Sequence, residues 1–84
     1  MRIGLIIRRV FEDEFAASCP DLAEVHAEGR DLNEVHHRAR EAVLDALTAR
    51  EERRVKTPYR RGLLELAAIA LEVEDLVGVL FVEP

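Results

Sequence analysis

Residues 31–53 read DLNEVHHRAREAVLDALTAREER, and the reading of this stretch decides the fold. Apolar residues recur at Leu32, Val35, Ala39, Ala42, Val43, Ala46 and Leu47. At about 100° per residue these positions share one stripe, which predicts an amphipathic helix with one buried face. Its start is marked twice. Asp31 is placed to cap the first free N–H groups, and Glu34 is placed to reach back in a capping box. Such a helix is about 34 Å long, while a strand of about seven residues covers about 23 Å. The last two turns, Arg50 to Arg54, should therefore overhang any sheet the helix covers. Leu44 falls at the flank of the stripe and needs a further element or a partner to cover it.

Outward from the helix toward the N-terminus the chain reads as strand and turn. In residues 2–10, RIGLIIRRV, Ile3, Leu5 and Ile7 alternate with Gly4, Ile6 and Arg8, which predicts a strand. Phe11-Glu12-Asp13-Glu14 is polar enough to turn, without the Asn-Gly signal of a tight hairpin. Phe15, Ala17 and Cys19 then alternate with Ala16 and Ser18 as a second strand. Pro20 ends it, because it lacks an N–H and holds Cys19 extended. Val25 and Ala27 against His26 and Glu28 make a short third strand, and Gly29 breaks the chain before the helix cap.

Beyond the helix, Thr57-Pro58 starts a new segment. Residues 62–73, GLLELAAIALEV, fit either helix or strand; the Ala and Leu content favours a short helix. Residues 77–82, VGVLFV, read as a strand apolar on both faces. After a helical crossover this strand is expected beside the first and parallel to it. The expected architecture is α+β: one domain over residues 1–84, with a mostly antiparallel four-stranded sheet of order 3-2-1-4. One long helix lies across one face, in the sequence β-β-β-α-(α)-β.

The apolar fraction of 49% beside 35% charged residues marks a globular chain, not a disordered one. No apolar run is long enough to span a membrane, and no signal peptide is evident. The single cysteine, Cys19, cannot form an internal disulfide, so a reducing, cytoplasmic setting is expected. The net charge of −5 argues against wrapping nucleic acid. That charge is uneven. Residues 50–61 hold six basic side chains, Arg50, Arg53, Arg54, Lys56, Arg60 and Arg61, against two acids, whereas residues 62–84 hold five acids and no base. The basic segment is a candidate for phosphate contacts, with Tyr59 as a lone stacking platform, and it defines the alternative reading of a stand-alone nucleic-acid-binding module. Its plainer reading is favourable placement of cations at a helix C-terminus.

Little else points to catalysis. His36 and His37 are adjacent, about 100° apart on the helix, and His26 faces away from Cys19, so no zinc set forms. Asp13, Asp21, Glu28 and Asp31 lie in turns, at a cap or on a short strand, where a two-metal nuclease needs acids converging from core strands. Ser18-Cys19 has no strained elbow and no base beside it. No Gly-rich phosphate loop exists. No catalytic residue, metal ligand or cofactor is therefore assigned.

The last strand is apolar on both faces yet falls at an edge of the sheet, a liability that folded chains cover. The sheet face away from the long helix also offers small residues. The expectation is self-association through this strand or this face, using Gly4, Ile6, Ala16, Ser18, Val79 and Phe81. The alternative is that segment 62–73 folds over the same surface within one chain.

Cys19-Pro20-Asp21-Leu22, Gly29, Leu32-x-Glu34-Val35 and Ala39-Arg40-Glu41-Ala42 together resemble the HicB-like antitoxin family. The resemblance covers about residues 2–50, with residues 77–83 matching the family's last strand. Two positions depart from the pattern: Ala23-Glu24 stand where Pro-Gly is usual, and Val35 stands where Ala is. The resemblance implies a partial ribonuclease-H-like fold and a homo-oligomer, dimer or tetramer. It also implies binding to a small basic toxin that cleaves messenger RNA. Full-length members often carry a C-terminal DNA-binding segment; no counterpart is expected in these 84 residues, so DNA binding is not expected of this chain alone.

Overall fold

The computed structural model describes residues 2–56 and 62–83. The period-two stretch near the N-terminus forms β1 (Ile3–Phe11). The pair Glu12-Asp13 returns the chain as β2 (Glu14–Ser18), antiparallel to β1 with Ile7 opposite Ala17. Neither turn residue has a positive φ, so the left-handed turns that hairpins favour are not used. A register shift between Arg9 and Phe11 takes up the difference in twist.

Two consecutive turns follow. The Leu22 N–H donates to the Cys19 carbonyl at 3.2 Å and the Val25 N–H to the Leu22 carbonyl at 2.9 Å. Pro20 takes the second position of the first turn, where its fixed φ belongs. The pair of turns puts Leu22 wholly inside the core. The chain then runs into β3 (His26–Gly29), antiparallel to β2.

The long helix α1 (Leu32–Glu52) is capped at both ends. At its N-terminus Asp31 Oδ1 accepts from the Glu34 N–H at 2.8 Å, and Glu34 Oε1 accepts from the Arg30 N–H at 3.3 Å, one residue before the cap. At its C-terminus the Val55 N–H donates to the Arg50 carbonyl and the Arg54 N–H to the Glu51 carbonyl. This is a Schellman pattern, with Arg54 at φ 57 in the left-handed place usually given to glycine. Val35, Ala39, Val43 and Ala46 form the buried stripe. Leu32, expected within that stripe, is instead half exposed. As the first residue of the helix it sits past the end of the short edge strand β3.

The second helix, α2 (Leu63–Ala70), confirms the helical preference of that segment, and β4 (Leu76–Val82) completes the sheet in the order β3-β2-β1-β4. One expectation is corrected: β4 is antiparallel to β1, with Ile3 opposite Val82 and Ile7 opposite Gly78. The reason is a count of traverses. α1 carries the chain from the Gly29 end of the sheet to the Glu24 end, as the Arg50–Glu24 pair at its far end shows. A strand begun there would be parallel to β1. α2 instead crosses back from beside Gly4 toward the Asp75–Arg9 end, so β4 starts at the opposite end. Two helical traverses reverse the strand that one would have left parallel.

The two helices take opposite faces. Under α1 lie Ile3, Leu5 and Ile7 with Ala17, Cys19 and Leu22. Under α2 lies a smaller cluster of Ile6, Leu66 and Ala70, flanked by Ile69, Val73, Val79 and Phe81. Gly4 and Gly29 are where backbone and helix meet most closely. A Cβ on Gly4 would lie 2.5 Å from Leu66 Cδ2, and one on Gly29 would lie 2.7 Å from the Val35 backbone nitrogen.

Candidate functional site

The surfaces that remain open differ in chemistry. At the start of α1 a polar cleft of about 440 Å³ is lined by Glu14, Glu28, Gly29, Arg30, Glu34 and Arg38. Its groups answer one another. Glu34 caps the helix, Arg38 pairs with Glu34 at 3.3 Å, and Arg38 Nη1 donates to the Glu28 carbonyl at 3.0 Å. That last contact covers a backbone acceptor of the edge strand β3. The cleft is a helix cap with a blunted sheet edge.

The histidines stay apart. His26 Nε2 lies 3.1 Å from Glu28 Oε1, and His37 Nε2 lies 3.1 Å from Glu41 Oε1, both exposed. Among the described residues no group of three or more His, Cys, Asp or Glu is placed to hold a metal ion. Asp21 is buried within the double turn, and Asp31 is spent on the cap. Cys19 is buried, and that burial pushes its thiol above the usual range, opposed by the backbone N–H groups of Leu22 and Asp21. A buried thiol held protonated is a packing group and not a nucleophile.

The basic segment divides. Arg50 is turned back onto the fold. Its Nε and Nη2 donate to the two carboxylate oxygens of Glu24 at 2.7 and 2.8 Å, and Nη1 donates to the Lys56 carbonyl at 3.4 Å. The guanidinium holds the Glu24 carboxyl well below the usual range, at about 2. Arg53, Arg54 and Lys56 are exposed around the helix end. Arg60 and Arg61 lie outside the described residues.

Of the residues singled out for self-association, Gly4, Ile6, Val79 and Phe81 belong to the β1–β4 half of the far face, where α2 covers them within the same chain. Phe81 also carries the Arg2 guanidinium over its ring, 4.4 Å from the centroid. Ala16 and Ser18 stand on β2, outside the cluster under α2; Ala16 is buried and Ser18 exposed. Among the described residues no strand pairs with the outer edge of β4, which has no charged side chain between Leu76 and Val82 and is interrupted by a register shift next to Val77.

The most exposed large apolar side chains lie where the sequence analysis places no site. Leu64, on the outside of α2, is 85% exposed, and Leu71, its C-cap, 81%. The signal was present: Leu64, Ala68 and Leu71 fall within about 60° of one another, opposite Leu66 and Ala70. A groove of about 360 Å³ lined by Arg9, Asp75, Leu76 and Val77 opens where β4 begins.

A 3-2-1-4 sheet with a long capped helix on one face defines a HicB-like N-terminal fold. The crystal structure of the N-terminal domain of the Burkholderia pseudomallei antitoxin HicB matches it with a TM-score of 0.80 at 17% identity, over 100% of this chain and 98% of that one. In sequence the chain matches no protein-family model and no curated protein. No helix among the described residues is long and apolar enough to cross a membrane.

Proposed function

We propose that this chain is an antitoxin-like protein-binding module. It acts in the cytoplasm, associates with copies of itself, and masks a small basic toxin that cleaves messenger RNA. The observation that carries this reading is the end-to-end match in fold to an antitoxin's N-terminal domain. Two features of this chain support it. Its net charge of −5 suits a partner with a cationic RNA-binding surface. Its exposed leucines and apolar β4 edge are surfaces for another protein, and the reading requires no catalytic step. Self-association runs through the free edge of β4, since α2 covers Gly4 and Ile6.

The test is binding. The purified product of the adjacent reading frame is titrated with this protein by calorimetry, and its RNA-cleaving activity is followed as the protein is added. Stoichiometric binding with loss of cleavage is expected. Absence of binding at micromolar concentration sinks the reading. A second reading, nucleic-acid binding at the basic segment, is favoured by the exposure of Arg53, Arg54 and Lys56 around one helix end. It predicts a gel shift that weakens steeply as salt rises.

A further inference from the structure

We propose that the outer face of α2, with the start of β4, is the surface on which the basic partner docks. The inference rests on the reading above that such a partner exists, and it adds where and how it is held. A helix apolar on one side only is finished once that side is buried; one apolar on both sides is built to be covered twice. α2 buries Leu66 and Ala70 against the sheet, and on its opposite side presents Leu64, Ala68 and Leu71 to water. Leu76 and Val77, 37% and 42% exposed, extend the apolar surface past the helix end.

Charge decides between occupants. Residues 62–83 carry Glu65, Glu72, Glu74, Asp75 and Glu83 and no Lys, Arg or His. Glu72, Glu74 and Asp75 lie in the turn that follows α2, between Leu71 and Leu76. A second copy laid on the same stripe brings two such segments together, each with five acids and no base. Like charges brought together in this way repel. A protein that presents an apolar helix or strand flanked by Lys and Arg turns the same acids into favourable contacts. The leucines anchor and the acids select.

The experiment compares the full chain with the double variant Leu64→Ser/Leu71→Ser and with Leu32→Ser, an exposed leucine of α1, as control. Circular dichroism checks that all three fold, and calorimetry reads affinity for the purified product of the adjacent reading frame. The double variant is expected to bind at least about tenfold more weakly, with the control unchanged. Glu72→Gln/Glu74→Gln is expected to flatten the salt dependence. If the wild type binds and the double variant binds equally well, the surface is wrong while the functional reading stands. If the wild type does not bind that product, the functional reading falls. The surface is then tested with a synthetic Lys-flanked leucine helix of about 18 residues and its Glu-flanked counterpart. Binding of the Lys-flanked helix alone, lost in the double variant, supports the surface; binding of neither or both overturns it. A double variant that turns a dimer into a monomer in sedimentation, with partner affinity intact, also overturns it.

Discussion

α1 and α2 lie on opposite faces of the same sheet and are finished to different degrees. α1 has an aspartate at its N-terminus, a Schellman turn at its C-terminus and a guanidinium tying its last turn to the β2–β3 connection. Its outer face is charged, with Glu34–Arg38 and His37–Glu41 pairs four residues apart. Its apolar exceptions are few: Leu32 at its start is half exposed and Leu44 partly buried. α2 has Gly62 at its N-cap with no side-chain hydrogen bond, no base in its last turn, and leucines on its outer side. Eight residues are too few for a helix to hold itself in water, so packing alone keeps α2 in place. One helix closes the core of the chain, and the other is held by that core while it offers a surface outward.

The largest expected effect tests whether α2 is held in this way. Leu66 is fully buried and is the one large side chain of α2 so placed. Leu66→Ala should cost about 2–5 kcal/mol in urea denaturation. A loss below about 1 kcal/mol would mean that α2 is an ornament on a sheet stable without it.

The two close glycines sharpen the contrast next. Gly29→Ala sets a methyl group against the Val35 backbone of α1, which cannot yield unless the helix start moves. Gly4→Ala meets the end of the Leu66 side chain in α2, which can turn away at the expense of its packing. Gly29→Ala should cost about 1–3 kcal/mol and Gly4→Ala less. The reverse order would show that α2 is the more rigidly seated of the two. Below these comes the cap. Asp31→Ala should cost about 1 kcal/mol of stability, read from the shift in denaturation midpoint at unchanged slope.

How much of this was legible before the structure follows from the same contrast. α1 announced itself, because a 3.6-residue period needs a polar side to be visible and a capping pair marks where it starts. The strand order followed from hairpins and the position of the apolar last strand. α2 was ambiguous because it is apolar on both sides: with only Glu65 and Glu72 to mark polarity, neither a helical nor a strand period stood out. The direction of β4 is hidden for a related reason, since it depends on whether segment 62–73 crosses the sheet a second time. The exposed leucines do not stand out because leucines on both sides of one short segment give no sign of which side meets the sheet. The Glu24–Arg50 pair was out of reach. Its partners are 26 positions apart, and no local pattern joins a turn acid to the end of a helix.

That pair yields the smallest effect and the most specific one. The Arg50 fork lowers the Glu24 carboxyl from its usual 4.5 to about 2 in the folded chain. A group whose folded value is depressed contributes stability that is fully present above its unfolded value. That contribution fades as pH falls toward the folded value. Both partners sit at the surface, so solvent and salt screen what they gain. The difference in thermal midpoint between the wild type and Glu24→Gln should therefore be constant above about pH 5 and shrink steadily toward pH 2. It should also diminish with added salt at neutral pH. Circular dichroism of both proteins across that range reads it directly. A difference that persists undiminished at pH 2 would mean that Glu24 acts by packing against the end of α1 and not through its charge. The closure of α1 would then owe nothing to the fork that sets it apart from α2.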